Sequence, residues 1–313
     1  MISVSTPCKV HLLGEWAVVW GKPALLATVD LRITVNVIAS DQRERGNLDI
    51  KKIIEPIVKK ELDIKTIPNY KLEISSEIPM GAHLGSSAAV SVASITALLT
   101  FLGVKWDLEL INKLAYEAEK VFHGNPSGAD NSTIVYGGLM WYRKENPDLK
   151  IIQPLPFSIP SKLAKNFVLI NTGTPKVTTK QMITKITTDF EKNPALKDRF
   201  LNNQEKLTRE LLTAIKNVDE KELIRIIREG EKNLESIGVS SKFAQNIIRK
   251  IEKAGGAAKI CGAGAFDGPT GVLLCYHPKA GVIEKIAKSF NLDCFKTNLG
   301  VEGIKIEPES IQS

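Results

Sequence analysis

The 313-residue chain has only four cysteines, Cys8, Cys261, Cys275 and Cys294, with no Cys-x-x-Cys and no histidine at metal-ligand spacing. That scatter excludes a disulfide framework and a structural zinc, and predicts reduced thiols. Met1 to Pro7 lack a basic region and an apolar h-region, so no secretory signal is expected and the cytoplasm is the expected location. Long apolar runs are also missing. The nearest to one, Leu84 to Val104, is uncharged but broken by Ser86, Ser87, Ser91, Ser94, Thr96 and Thr100, which predicts a buried helix and no membrane span. The net charge of +7 comes mainly from dispersed lysines such as Lys51, Lys52, Lys59 and Lys60, without interleaved aromatic residues. Such a surface is solvated, favours polyanions such as nucleotides, and on charge alone permits weak nucleic-acid contact.

Length favours two domains, 1–160 and 161–313, divided in the polar, proline-bearing segment from Lys144 to Pro160. The N-terminal part reads mostly as strands: Ile2 to Leu13, Ala17 to Val19, Ala24 to Val29, Ile33 to Val37 and Leu72 to Ile74. Helices follow over Ser87 to Leu102 and Leu108 to Phe122, the second with Asp107 as its N-cap and an apolar stripe of Leu110, Ile111, Leu114, Ala115, Ala118, Val121 and Phe122. A loop from Asn125 to Asp130 leads to an apolar stretch through Trp141. Beyond the boundary, a strand at Phe167 to Ile170 and a Thr/Lys-rich loop, Asn171 to Lys180, precede helices at Phe200 to Val218, Lys221 to Ile237 and Lys242 to Lys253. The end reads as strand, helix and strand, over Gly271 to Tyr276, Val282 to Phe290 and Gly303 to Ile306.

Chemistry concentrates in a few segments. In Pro79-Met-Gly-Ala-His-Leu-Gly-Ser-Ser-Ala-Ala89, a glycine-bearing loop opens a small-residue helix. Gly81 and Gly85 permit tight backbone, and the helix mouth offers unpaired N–H groups to an anion, while Ser86 or Ser87 can hold a metal ion. An ordinary capped turn carries the same composition. Lys9 interrupts an apolar strand; facing inward it requires an anion, and on a strand edge it would point to water. Glu119, in the last helical turn, opposes the helix dipole and needs a positive partner. With Asp130 it can recruit magnesium beside phosphates or accept a hydroxyl proton; as a lone surface carboxylate it would simply be solvated. His123 reads as a turn residue. A second Gly-Ala loop, Cys261 to Gly268, lies between two strands.

Taken in order, the segments Lys9 to Ala24, Pro79 to Ala89 and Lys259 to Gly268 resemble the three motifs of the GHMP kinase superfamily, over nearly the whole chain. His123-Gly-Asn-Pro-Ser-Gly-Ala-Asp130-Asn131 resembles the mevalonate kinase family within it. The resemblance implies an α+β, two-domain fold: an N-terminal domain like ribosomal protein S5 domain 2 and a ferredoxin-like C-terminal domain with extra helices. It implies ATP- and magnesium-dependent phosphorylation of the primary hydroxyl of mevalonate to 5-phosphomevalonate, in isoprenoid biosynthesis, and dimers are frequent in the family. By the same resemblance Asp130 is the catalytic aspartate and Lys9 its partner, Ser87 and Glu119 are the magnesium ligands, and Glu15, Trp16 and Asp130 face the alcohol. Pro79, Gly81, Ala82, His83, Leu84, Gly85, Ser86, Ser87 and Ala88 would cradle the ATP phosphates.

The chain departs from the family pattern at several points. Trp16 stands where histidine is common, Cys8 and His83 where glycine is, and Ala265, Phe266 and Asp267 dilute the third motif. A kinase of phosphomevalonate or of another small alcohol is the nearest alternative. A non-catalytic nucleotide- or nucleic-acid-binding protein is the alternative of another class, against which Lys9, Glu119 and Asp130 argue.

Overall fold

The computed structural model describes residues 1–40, 48–78, 83–124, 126–146, 149–279 and 281–308. Strand β1 (Ile2–Leu13) pairs antiparallel with β2 (Ala24–Ala39), one long strand where the sequence suggested two. Both are buried over much of their length, so neither shows a clean polar face. The link between them corrects the expected strand at Ala17 to Val19. Those residues form a 3-10 turn (Ala17–Trp20), because Trp16 takes a positive φ of 63° and Val18 N–H turns back to the Gly14 carbonyl.

Helix α1 (Leu48–Leu62) was not anticipated. Its buried Ile50, Ile54 and Val58 recur at i, i+4 spacing, but Pro56 and abundant lysine hide the pattern. Strand β3 (Tyr70–Ser76) pairs with the far half of β2. Helix α2 (Ser86–Phe101) is buried almost all round, as its uncharged sequence required. Among the described residues no helix is long and apolar enough to cross a membrane. Helix α3 (Leu108–His123) is capped by Asp107, which accepts the Leu110 N–H at 2.8 Å, and its buried face carries Ile111, Leu114, Ala115 and Ala118. Val121 and Phe122, expected on that stripe, are exposed.

Helix α4 (Ala129–Tyr136) replaces the expected loop at its first two residues and the start of the apolar stretch. Ser127 Oγ accepts the Ala129 N–H, and Asp130 therefore sits in a first helical turn, where the dipole favours its charge. Strands β4 (Leu139–Lys144) and β5 (Lys150–Pro154) then extend the sheet from the near half of β2.

After the short α5 (Ser161–Ala164), β6 (Phe167–Asn171) opens a second sheet. Four helices follow: α6 (Thr179–Lys192), α7 (Pro194–Lys216), α8 (Glu220–Ser236) and α9 (Lys242–Lys253). The first was missed within and beyond the Thr/Lys-rich segment, although Thr178 and Gln181 form a capping box. Then come β7 (Ala257–Ile260), β8 (Val272–Tyr276), α10 (Gly281–Ser289) and the short β9 (Cys294–Lys296). The spatial order β7-β8-β6-β9, all antiparallel, is that of a ferredoxin-like βαββαβ unit with added helices. The chain finally returns to the first sheet, where β10 (Lys305–Ile306) pairs with β1.

Gly85, just before α2, holds φ at +78°, and a Cβ there would lie 2.9 Å from Cε and 3.1 Å from Cγ of Lys9. Gly103 has a similar φ of +69° with nothing within 4 Å. Backbone strain alone should cost Gly103→Ala about 1 kcal/mol, and Gly85→Ala should lose roughly 1–2 kcal/mol more from crowding Lys9. Urea denaturation of both variants checks this; equal losses would contradict the crowding.

Candidate active site

Strand alternation decides which side chains of β1 reach the cleft. Cys8, Val10 and Leu12 enter the main core, whereas Lys9 and His11 line a cavity of about 290 Å³ between the two halves. The inward reading of Lys9 holds: it is 2% exposed, and its Nζ lies 3.0 Å from Asp130 Oδ1. Its own N–H donates to the Leu84 carbonyl at 3.0 Å, which ties β1 to the loop before α2. Lys9 Nζ also stands 3.3 Å from His11 Nδ1. Burial, then the Lys9 and Lys259 charges, hold His11 well below the usual histidine range, so its ring is neutral.

The end of α3 brings a second carboxylate to the same cavity. Glu119 is 3% exposed, and burial followed by the Asp130 charge pushes its pKa up to about 7. His123, read from sequence as a turn residue, is the last residue of α3; its Nε2 is 3.0 Å from Ser87 Oγ and 3.6 Å from Glu119 Oε2. Burial lowers its pKa as well, so it supplies little of the positive charge that Glu119 needs. Among the described residues Glu119 Oε1 is buried without a hydrogen-bond partner. A buried, unsatisfied carboxylate oxygen beside a serine hydroxyl suits a hard divalent cation, which would also relieve the Glu119–Asp130 repulsion. No group of three or more His, Cys, Asp or Glu side chains that could hold a metal occurs among the described residues, so such an ion would need oxygens from water or phosphate.

His83, Gly85, Ser86 and Ser87 also line the cavity, at the mouth of α2. Pro79, Gly81 and Ala82 lie outside the described residues, while Leu84 and Ala88 are buried beneath. The third motif closes in from the other half. Gly262 and Ala263 line the cavity, and a Cβ on Gly262 would lie 3.1 Å from that of His83. Burial, then Lys9, brings the His83 pKa down to about 4.

Glu15 and Trp16 also line the cavity. Trp16 is 5% exposed, packs against Trp20, and has a buried indole N–H without a partner among the described residues. Glu15 is ion-paired with Lys259, which was not singled out in the sequence and is fully buried. Lys259 Nζ also donates to the carbonyls of Ile260 at 2.8 Å and His11 at 3.2 Å. Burial acts hardest on this ammonium, but Glu15 and its neighbours outweigh it and hold Lys259 above the ordinary lysine range. A lysine in the otherwise apolar β7, buried at all four positions, was the available signal; without Glu15 in view it looked like any other.

Lys9, Asp130, Ser87, Glu119, Glu15 and Trp16 thus converge on one cleft, with a helix mouth at one side. Residues 50–138 match the family model described as the N-terminal domain of GHMP kinases. The mevalonate kinase of Archaeoglobus fulgidus is 30% identical over 97% of this chain and 99% of its own length. Among solved structures, L. major mevalonate kinase in complex with R-mevalonate superposes with a TM-score of 0.77 at 21% identity, covering 98% of this chain and 96% of its own. Phosphomevalonate kinase of Streptococcus pneumoniae, in complex with phosphomevalonate and AMPPNP, gives 0.78 at 18% identity, over 96% of this chain and all of its own. The cleft geometry and the near full-length similarity lead to one assignment: this chain belongs to the mevalonate kinase family of the GHMP kinases.

Proposed function

We propose that this protein transfers the γ-phosphoryl group of ATP to the primary hydroxyl of mevalonate, giving 5-phosphomevalonate. The observation that carries the reading is the Lys9–Asp130 contact, a nearly buried ammonium 3.0 Å from a carboxylate whose side chain remains one-third exposed to the cleft. Asp130 accepts the hydroxyl proton as the alcohol attacks, and Lys9 stabilises charge on the attacking oxygen. The unpaired N–H groups at the mouth of α2 take the ATP phosphates. Ser87 and Glu119 would hold magnesium, which would neutralise charge on the ATP phosphates. Glu15 and Trp16 shape the alcohol side, and the 30% identical archaeal mevalonate kinase supports mevalonate as that alcohol. A protein that only bound nucleotides would have no use for this charged, buried set.

Purified protein given ATP, magnesium and mevalonate should release ADP. Absence of ADP above background would reject this substrate, and a panel including phosphomevalonate would then find the alcohol that Trp16 admits. Asp130→Asn should lower kcat by about 10²–10⁴-fold with little change in KM for ATP; undiminished turnover would remove Asp130 as the base. Glu119→Gln should raise the magnesium concentration for half-maximal rate on the order of tenfold, because it removes one anionic ligand. An unchanged magnesium titration would remove Glu119 from the metal site.

A further inference from the structure

Helix α8 carries a fully buried carboxyl, Glu231, outside the cleft. Its Oε1 lies 2.5 Å from Ser240 Oγ, and its Oε2 accepts the Ile260 N–H at 3.0 Å. Ile260 ends β7, and its carbonyl accepts from Lys259 Nζ at 2.8 Å. One peptide unit is therefore held at its N–H side by Glu231, and the next at its carbonyl by Lys259. Lys259 in turn grips Glu15 and the His11 carbonyl, so a continuous set of hydrogen bonds runs from α8 to the alcohol side of the cleft. The loop that follows is stitched to the same turn: Ala265 N–H donates to the Val239 carbonyl at 2.9 Å, and Ser241 Oγ to the Gly268 carbonyl at 2.6 Å.

We propose that Glu231 is a positioning residue for phosphoryl transfer, fixing the end of β7 and thereby the Lys259 ammonium that orients Glu15. This rests on the kinase reading given above. Burial pushes the Glu231 carboxyl up to about 8, so at pH 7 it is mostly an uncharged acid and leaves the Lys259 charge to Glu15. The charged groups that bear on it are Glu235, on its own helix, and Lys259, on β7; Ser240 and the Ile260 N–H are its hydrogen-bond partners. Ionised, Glu231 competes with Glu15 for the same ammonium. Activity is then lost as pH rises through the folded-state value, and retained below it.

Two substitutions separate positioning from bulk packing. Glu231→Gln keeps a neutral acceptor for Ile260 and a donor for Ser240. With the alcohol that the wild-type enzyme phosphorylates, it should stay within about threefold of wild-type kcat/KM at pH 7 and lose the decline near pH 8. Glu231→Met fills the space without an acceptor and should lower kcat/KM for the alcohol roughly tenfold, with KM for ATP nearly unchanged, at a temperature where circular dichroism shows it folded. An alkaline limb in Glu231→Gln identical to the wild type overturns the proposal. So does folded Glu231→Met with undiminished kcat/KM. If Glu231→Met does not fold, the Glu231→Gln profile decides alone. If the wild type phosphorylates no alcohol, the kinase reading has failed; crystal structures of both variants then decide this one, which is overturned if Lys259 keeps its bond to Ile260 in Glu231→Met and supported if that bond survives only in Glu231→Gln.

Discussion

A lysine ammonium nearly out of water, 3.0 Å from an aspartate, is the constraint around which the cleft is arranged. Burying that ammonium unpaired costs several kcal/mol, so the structure must bring an anion to it and keep both in place. β1 supplies Lys9 from a strand paired on both edges, and the first turn of α4 supplies Asp130 with a favourable helix dipole. Gly85 leaves room for the lysine stem to pass, and the Leu84 carbonyl fixes the strand beside the start of α2. Three separate pieces of chain therefore meet because one charge has to be satisfied.

The remaining charges follow from the same demand. Glu119 adds a second carboxylate to a space already holding Asp130, and neither His11, His83 nor His123 compensates, since burial leads the lowering of all three. The cleft is left with one ammonium facing two acidic groups, an arrangement that gains from a divalent cation and loses without one. The Lys259–Glu15 pair is neutral as a unit and fully enclosed, which suits positioning more than proton transfer. The chemistry asked of the protein is thus chiefly placement of charge, as expected for transfer of a phosphoryl group.

How much of this the sequence disclosed depends on the range of the interaction. Local signals were sound: Asp107 as the cap of α3, the uncharged run of α2 as a buried helix, and the helix at Lys242 to Lys253 with its strong amphipathic period. Lys9 in an apolar strand could be read as a buried charge or as an edge residue facing water, and family motifs supplied its partner. What failed was set by unusual backbone conformation or by contacts far along the chain. Ala17 to Val19 reads as a strand until the positive φ of Trp16 turns it over, and Val121 and Phe122 complete an apolar stripe that extends past the core. Lys259 and Glu231 were invisible for the same reason, because their meaning lies in Glu15 and the Ile260 N–H respectively.

The coupling between Lys9 and Asp130 can be measured by a double-mutant cycle on kcat/KM with Lys9→Met, Asp130→Asn and the combined variant. If the pair acts as a unit, the combined loss should be no greater than the larger single loss, a coupling of at least about 2 kcal/mol. Losses that simply multiply would mean that the two side chains act independently, and would contradict the account.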